Sequence, residues 1–140
     1  MKTAIWILVL AVVVVGGAYL VDRSQQPAQP NEQSLISVQV DQPAPNATVV
    51  SPLAVSGQAV GGWYFEASFP VELLNSSNQV IATTTAQAQS DWMTTNLVPF
   101  TATLTFPAQT TGSSGTLVLR KDNPSGEPQN DDSFSVPIVF

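Results

Sequence analysis

Three consecutive aromatic residues, Trp63, Tyr64 and Phe65, follow a pair of glycines and are the side chains of this chain best suited to binding a ligand. Consecutive residues of a β-strand point to opposite faces, so all three cannot enter one core from a regular strand. One hypothesis is that these aromatics, together with Trp92, form a binding surface for a sugar ring or for an apolar patch of a partner. The other, which we favour, is that the chain bends at Gly61-Gly62 and that the aromatics pack into the core and its rim.

A carboxylate, Glu66, directly follows the aromatic residues. Burying an unpaired charge is costly, so the sequence predicts a buried ion pair between Glu66 and Arg120. A catalytic carboxylate would need a second carboxylate or a nucleophile at a defined distance. Glu72 and Asp91 are present, but no spacing connects them with Glu66. The sequence therefore predicts that the protein is not an enzyme.

Four carboxylates crowd one polar connection near the end of the chain: Asp122, Glu127, Asp131 and Asp132. Oxygen ligands of this kind bind calcium, so these residues are weak candidates for a calcium site. The spacing differs from that of an EF-hand loop, because Pro124 and Gly126 occupy positions where ligands are needed. A solvated acidic loop is the preferred interpretation, and the sequence predicts no bound metal or cofactor.

The chain contains no cysteine and no histidine. This composition excludes disulfide bonds, thiolate metal sites, cysteine nucleophiles and Ser-His-Asp triads. Beyond residue 24, nine carboxylates outnumber the two cations Arg120 and Lys121, which gives that part of the chain a charge of −7. A surface of this sign repels a phosphate backbone, so nucleic acid is not an expected partner.

Residues 1–23 are predicted to form an N-terminal signal anchor or a signal peptide. An unbroken apolar run of seventeen residues extends from Ile5 to Val21, between Lys2 and Arg23. As a helix it would rise roughly 26 Å, slightly less than the ~30 Å hydrocarbon core of a bilayer. An uncleaved anchor gives a single-pass protein of the cell membrane with its C-terminal part on the extracytoplasmic side, whereas cleavage gives a secreted protein. Under both interpretations the residues beyond 24 are exported.

Residues 24–34 are predicted to be a flexible linker rich in proline and glutamine. The segment has no large apolar side chain that could pack on a core, and its prolines favour extended backbone. At ~3.1 Å per residue, the linker could hold the following domain up to roughly 34 Å from the membrane. A disordered leader without a spacing role is an equally open interpretation.

Residues 35–140 show the two-residue alternation of apolar and polar side chains that predicts strands with one face on a core. The clearest apolar rows are Ile36-Val38-Val40, Leu53-Val55-Gly57-Ala59, Phe69-Val71-Leu73, Phe100-Ala102-Leu104-Phe106, Leu117-Leu119 and Phe134-Val136-Ile138-Phe140. A hairpin loop is expected at Asn75-Ser-Ser-Asn78, and the following stretch from Val80 to Ala88 is expected near a sheet edge. About seven short strands indicate an all-β, immunoglobulin-like antiparallel sandwich, with a small barrel as the alternative.

Several blocks of this region resemble a known family. They are Pro43-Ala-Pro-Asn46, Val50-Ser-Pro-Leu-Ala-Val-Ser-Gly57, Gly62-Trp-Tyr-Phe-Glu-Ala-Ser-Phe-Pro-Val71, Asp91-Trp-Met93 and Asp122-Asn-Pro-Ser-Gly-Glu127. In this order they resemble the immunoglobulin-like domain of bacterial spore germination, one of the domains found with GerMN domains. The resemblance implies an immunoglobulin-like fold and an extracytoplasmic role in interactions, and it carries over no catalytic residues.

Together, these observations predict a non-enzymatic, membrane-anchored interaction or structural module of the bacterial cell envelope. A link to germination-type envelope processes is an expectation from the resemblance. The expected partners are an envelope protein and the lipid bilayer, the latter through residues 5–21. The alternative function is a carbohydrate-binding module for cell-wall glycan, with Trp63, Tyr64 and Trp92 as the stacking residues.

Overall fold

The computed structural model of the protein describes residues 36–140. Its eight strands are β1 (Val38–Gln42), β2 (Ala47–Thr48), β3 (Leu53–Val60), β4 (Ser68–Leu74), β5 (Val80–Ala88), β6 (Leu97–Leu104), β7 (Ser114–Arg120) and β8 (Ser133–Val139). Within these residues no helix has the length and apolar character needed to span a bilayer. The anchor or signal peptide predicted for residues 1–23 and the linker predicted for residues 24–34 lie outside the described part of the chain.

The predicted all-β architecture is confirmed, with one strand more than expected. The additional strand is β2, which pairs in parallel with the end of β8 through two residues only. A two-residue strand has no room to show alternation, so the sequence pattern could not reveal it.

Two groups of strands face each other across the core. One group has the order β1-β3-β6 and the other β5-β4-β7-β8-β2, and the groups are connected where Gln87 and Ala88 of β5 pair with Thr101 and Phe100 of β6. The ring of Phe69 in β4 contacts the ring of Phe100 at a centroid distance of 5.0 Å, although β4 and β6 are not neighbours in the strand order. Such a contact is consistent with face-to-face packing of the two groups, as in an immunoglobulin-like sandwich.

The alternation along the strands accounts for the composition of the core. In β6 the side chains of Val98, Phe100, Ala102 and Leu104 are buried, and the residues between them are exposed. Two predicted core residues are instead exposed, Ile36 and Phe134. Ile36 precedes β1, and Phe134 lies where β2 no longer covers the edge of β8.

The described residues, 36–140, belong to one compact unit. Within its described part, no polar or charged side chain is buried, and no buried side-chain nitrogen or oxygen lacks a hydrogen-bond partner. The unit therefore has an apolar core of its own, formed by residues from Val38 to Phe140.

Candidate interaction site at the loop end

Three connections between strands meet at one end of the domain. They are residues 61–67 between β3 and β4, residues 89–96 between β5 and β6, and residues 121–132 between β7 and β8. The strands that these connections join are paired antiparallel as β3–β6, β4–β5 and β4–β7. This register brings the end of β3, the start of β4, the end of β5, the start of β6 and the end of β7 to one end of the domain. The chain also enters the domain here, since the Val60 amide donates to the Ser37 carbonyl at 2.9 Å. We call this surface the loop end, and loops held by a rigid scaffold are where binding residues concentrate.

The first connection, residues 61–67, determines where the predicted aromatic residues point. It begins with a 3₁₀ helix at Gly61–Trp63 and finishes in a tight turn in which Glu66 and Ala67 have φ values of 49° and 64°. Phe65 and Ser68 exchange two backbone hydrogen bonds around this turn, at 3.0 and 3.1 Å. Two left-handed central residues are typical of a two-residue hairpin turn.

Trp63 and Tyr64 are part of the core. They are only 3% and 4% exposed, and their rings pack edge-on against Phe69 at centroid distances of 5.9 and 5.1 Å. A 3₁₀ helix turns by about 120° per residue instead of the 180° of a strand, which lets neighbouring side chains enter the same core. The hypothesis that Trp63 and Tyr64 form an exposed binding surface is therefore wrong, because both side chains are buried. The interpretation that we favoured from the sequence, a bend at Gly61-Gly62 followed by aromatic residues packed into the core, agrees with the structure for these two residues.

The hydroxyl of Tyr64 anchors the first connection to the paired strands β3 and β6. It donates a hydrogen bond of 2.7 Å to the Val98 carbonyl, and Val98 lies opposite Ala59 in the sheet. Burial raises the pKa of Tyr64 to about 12, and a backbone hydrogen bond at Ala59 offsets part of this rise.

We expect Tyr64→Phe to lower the free energy of unfolding by about 1–2 kcal/mol at neutral pH, because the buried Val98 carbonyl loses its side-chain donor.

The stability of the domain should also depend on the ionisation of Tyr64 at high pH. Well below pH 10 the phenol of Tyr64 is protonated in both the folded and the unfolded chain. Between pH 10 and about 12 the unfolded chain ionises while the folded chain does not. The wild-type chain should therefore lose stability as the pH rises through this window. Urea unfolding at pH 8, 10 and 11 checks this, and an equally steep loss in Tyr64→Phe would contradict it.

Backbone hydrogen bonds fix the three connections to one another. Asp122 donates to the Trp63 carbonyl at 3.0 Å, and Gly61 donates to the Asn96 carbonyl at 3.1 Å. A β-carbon on Gly61 would overlap the carbonyl oxygen of Thr94, so the second connection lies directly against the first. Backbone contacts therefore join the three connections of the loop end into one continuous surface.

The second connection presents one side chain that the sequence analysis did not single out. Trp92 is half-buried and packs against the core, whereas its neighbour Met93 is 76% exposed. The Met93 amide donates to the Asp91 carboxylate at 3.0 Å, which fixes the backbone beside it. Phe65, at 44% exposure, is the other aromatic residue that the loop end offers to solvent. Of the four predicted binding residues, Phe65 and Trp92 thus remain at least partly accessible.

The predicted buried pair between Glu66 and Arg120 is wrong. Arg120 Nε lies 2.7 Å from Glu72 Oε2, and the side chains of Arg120 and Glu72 are 48% and 22% exposed. Glu66 is exposed in the tight turn. Arg120 and Glu72 come together because β7 pairs with β4, and both project from the outer face of that pair of strands. An ion pair this accessible contributes little stability.

The third connection does not bring the four weak calcium candidates into one site. Asn123 donates to Asp131 Oδ1 at 2.7 Å and to the Glu127 carbonyl at 2.9 Å, and Asp132 Oδ1 accepts from the Ser133 amide at 2.8 Å. Across residues 36–140, no group of three or more acidic, histidine or cysteine side chains is placed to hold a metal ion. The carboxylates of Asp131 and Asp132 instead accept hydrogen bonds from within the loop and its junction with β8.

A pocket of about 280 Å³, called the hollow below, lies between residues of the first and third connections. Its lining includes Gly62, Tyr64, Lys121, Asn123 and Asn130. The lining carries one cation and one carboxylate, from Lys121 and Asp122, and no second carboxylate. The residues of this hollow therefore do not provide the paired carboxylates that acid–base hydrolysis of a glycoside needs.

Comparison with known proteins gives one match. The family model described as the immunoglobulin-like domain of bacterial spore germination matches residues 37–127, more than half of the chain. No curated protein and no solved structure matches.

Proposed function

The chain belongs to the family of immunoglobulin-like domains of bacterial spore germination, and on that premise we propose that it is a non-enzymatic interaction module of the bacterial cell envelope. In this proposal residues 5–21 hold the chain in the cell membrane, and residues 24–34 connect that anchor to the domain outside the cytoplasm. The domain binds an envelope protein through its loop end, and the complex serves a germination-type envelope process.

The distribution of exposed apolar side chains carries the proposal. In the described residues seven large hydrophobic side chains are exposed, and four of them lie at or beside the loop end: Ile36, Phe65, Met93 and Leu97. Methionine and aromatic residues are enriched in protein interfaces. Because backbone hydrogen bonds already fix the three connections, a partner would lose little free energy in ordering them. These features suit a surface that binds another protein.

The glycan-binding alternative receives less support. Of its three proposed stacking residues, Trp63 and Tyr64 are in the core, and Trp92 is half-buried. A stacking platform needs an accessible ring face. A protein partner is therefore the better fit to the accessible side chains at this end.

The test compares two substitutions of strongly exposed hydrophobic residues at opposite ends of the domain. Met93→Glu changes the loop end, and Val50→Glu changes a residue that is 73% exposed at the other end. We expect Met93→Glu to weaken binding to the partner at least roughly ten-fold, since a central interface residue is worth about 1–3 kcal/mol. Val50→Glu should leave binding unchanged. Each full-length variant is cross-linked in intact cells, and the cross-linked envelope protein is quantified.

Two results would overturn the proposal. One is equal capture of the same protein by both variants, which would place the interface elsewhere. The other is retention of the wild-type chain on purified peptidoglycan that is lost in Trp92→Ala, which would favour the glycan-binding alternative.

A further inference from the structure

The charge of the domain is concentrated at the loop end. The three connections contain six of the eight carboxylates of residues 36–140 but only one of the two cations, Lys121, which gives them a charge of −5. The remaining described residues include Asp41, Glu72 and Arg120 and have a charge of −1. The apolar side chains that the loop end offers to a partner therefore lie at the acidic end of the domain. Its six carboxylates are those of Glu66, Asp91, Asp122, Glu127, Asp131 and Asp132.

The domain does not neutralise this charge internally. The only ion pair within residues 36–140 joins Arg120 to Glu72, and both residues lie outside the three connections. Lys121 is half-buried and forms no ion pair in the described part of the chain. Asp91 and Asp131 accept hydrogen bonds from the loops, but from neutral donors, which leave the negative charge in place. A partner that covers the loop end therefore has to compensate for the charge itself.

Glu66 is the carboxylate best placed to contact a partner. It is exposed in the tight turn directly after Phe65, whose ring is 44% exposed. Within residues 36–140 the Glu66 carboxylate has neither an ion pair nor a hydrogen-bond donor. Its φ of 49° is left-handed, a conformation that glycine and asparagine adopt at lower cost than glutamate. The turn thus presents an aromatic ring and a carboxylate as neighbours, at a cost in backbone stability.

The sign of the charge limits the chemical class of the partner. Anionic polymers and anionic lipid are repelled by the loop end. A neutral apolar surface would desolvate the carboxylates beside Phe65 and Met93 without supplying a counter-charge, which is unfavourable. A protein segment with arginine or lysine residues avoids both costs. Its cationic groups pair with the carboxylates, while its aliphatic stems pack on the exposed apolar side chains.

We propose that the loop end binds a basic segment of its protein partner, with Glu66 as the residue that selects for positive charge and with Phe65 and Met93 as the apolar contacts. This inference rests on the proposed function and adds the chemical class of the partner. A guanidinium or ammonium group of the partner pairs with the Glu66 carboxylate and lies against the ring of Phe65. The other carboxylates of the loop end steer the basic segment to this surface, an effect that weakens as ionic strength rises.

Photo-cross-linking from the loop end tests the charge of the partner directly. The probe is the full-length chain with p-benzoylphenylalanine in place of Phe65, irradiated in intact cells, and mass spectrometry identifies the protein segment that becomes attached. We expect a segment with net positive charge around the point of attachment. A neutral or acidic segment would overturn this inference and leave the proposed function standing. Capture of no protein at position 65, with capture at position 50 when the same residue replaces Val50, would overturn both.

Substitutions of Glu66 in the photo-reactive chain test its role. Glu66→Gln should lower the cross-linked yield at least about three-fold, because it removes the charge and keeps the length of the side chain. Asp41→Asn makes the same change of charge at an exposed position of β1 and should leave the yield unchanged. Equal yields for these two variants would overturn the selective role of Glu66.

Glu66→Asn separates binding from stability. The melting temperature of the full-length chain in detergent should rise by about 2–5 °C, because asparagine tolerates the left-handed backbone better than glutamate. The cross-linked yield should nevertheless fall as it does for Glu66→Gln. A residue that served only the turn would give the higher melting temperature with an unchanged yield, and that result would contradict the proposal.

Discussion

Phe69→Ala is expected to lower the free energy of unfolding by about 3–5 kcal/mol, the usual cost of removing a buried phenylalanine. Phe69 is fully buried and is the centre of an aromatic cluster: its ring contacts those of Trp63, Tyr64 and Phe100 at centroid distances between 5.0 and 5.9 Å. It connects β4 with the first connection of the loop end and with β6. Since domains of this size are stable by about 5–15 kcal/mol, the variant would retain only part of its stability.

Urea unfolding of the full-length chain in detergent, followed by tryptophan fluorescence, measures this loss. Phe65→Ala is the matched control, because Phe65 is an exposed aromatic residue four positions earlier in the chain. Its expected cost is within about 1 kcal/mol, as for most exposed side chains. If the two variants lost equal amounts of stability, the aromatic cluster would not hold the two groups of strands together.

Gly61→Ala is expected to destabilise the domain by about 2–3 kcal/mol and to displace the second connection of the loop end. The added β-carbon would overlap the carbonyl oxygens of Thr94 and Trp92. Both are backbone atoms, so the conflict cannot be relieved by rotating a side chain, and overpacking of this kind typically costs about 1–3 kcal/mol. Trp92 and Met93 should move with the backbone, which would also weaken binding of a partner to the loop end.

Gly62→Ala provides the control, because it makes the same chemical change at the next residue. A β-carbon at Gly62 has no heavy atom within 4 Å, so little loss of stability is expected. The measurements are thermal unfolding and the emission maximum of tryptophan fluorescence, which should change in Gly61→Ala alone. Equal behaviour of the two variants would mean that the second connection does not rest on Gly61.

The alternation of side chains was sufficient to predict seven of the eight strands. In β6 every second residue is a threonine, a proline or another exposed residue, and the apolar residues between them are buried as expected. The hairpin loop at Asn75-Ser-Ser-Asn78 was also predicted correctly, since Asn75 Oδ1 accepts from the amides of Ser77 and Gln79. Strand β5, expected near an edge, lies between β4 and β6 in the strand order, although its pairing with β6 covers only Gln87 and Ala88. The strands and the hairpin loop depend on local backbone geometry, which a sequence pattern records directly.

The candidate site was predicted only in part. Its aromatic residues were identified, but the side of the fold to which each one points was not. Met93 gave no local signal, because its exposure depends on how Trp92 packs beneath the connection.

The sequence alone determined the fold class, the acidic character of the domain and the absence of cysteine and histidine chemistry. The tertiary structure decided that Trp63 and Tyr64 enter the core, that Arg120 pairs with Glu72, and that three distant connections meet at one end. The physical reason is the same in each case. A strand pattern specifies which face a residue occupies within its own element, whereas these contacts depend on the pairing register of strands that are far apart in the chain and on a short 3₁₀ turn that interrupts the alternation.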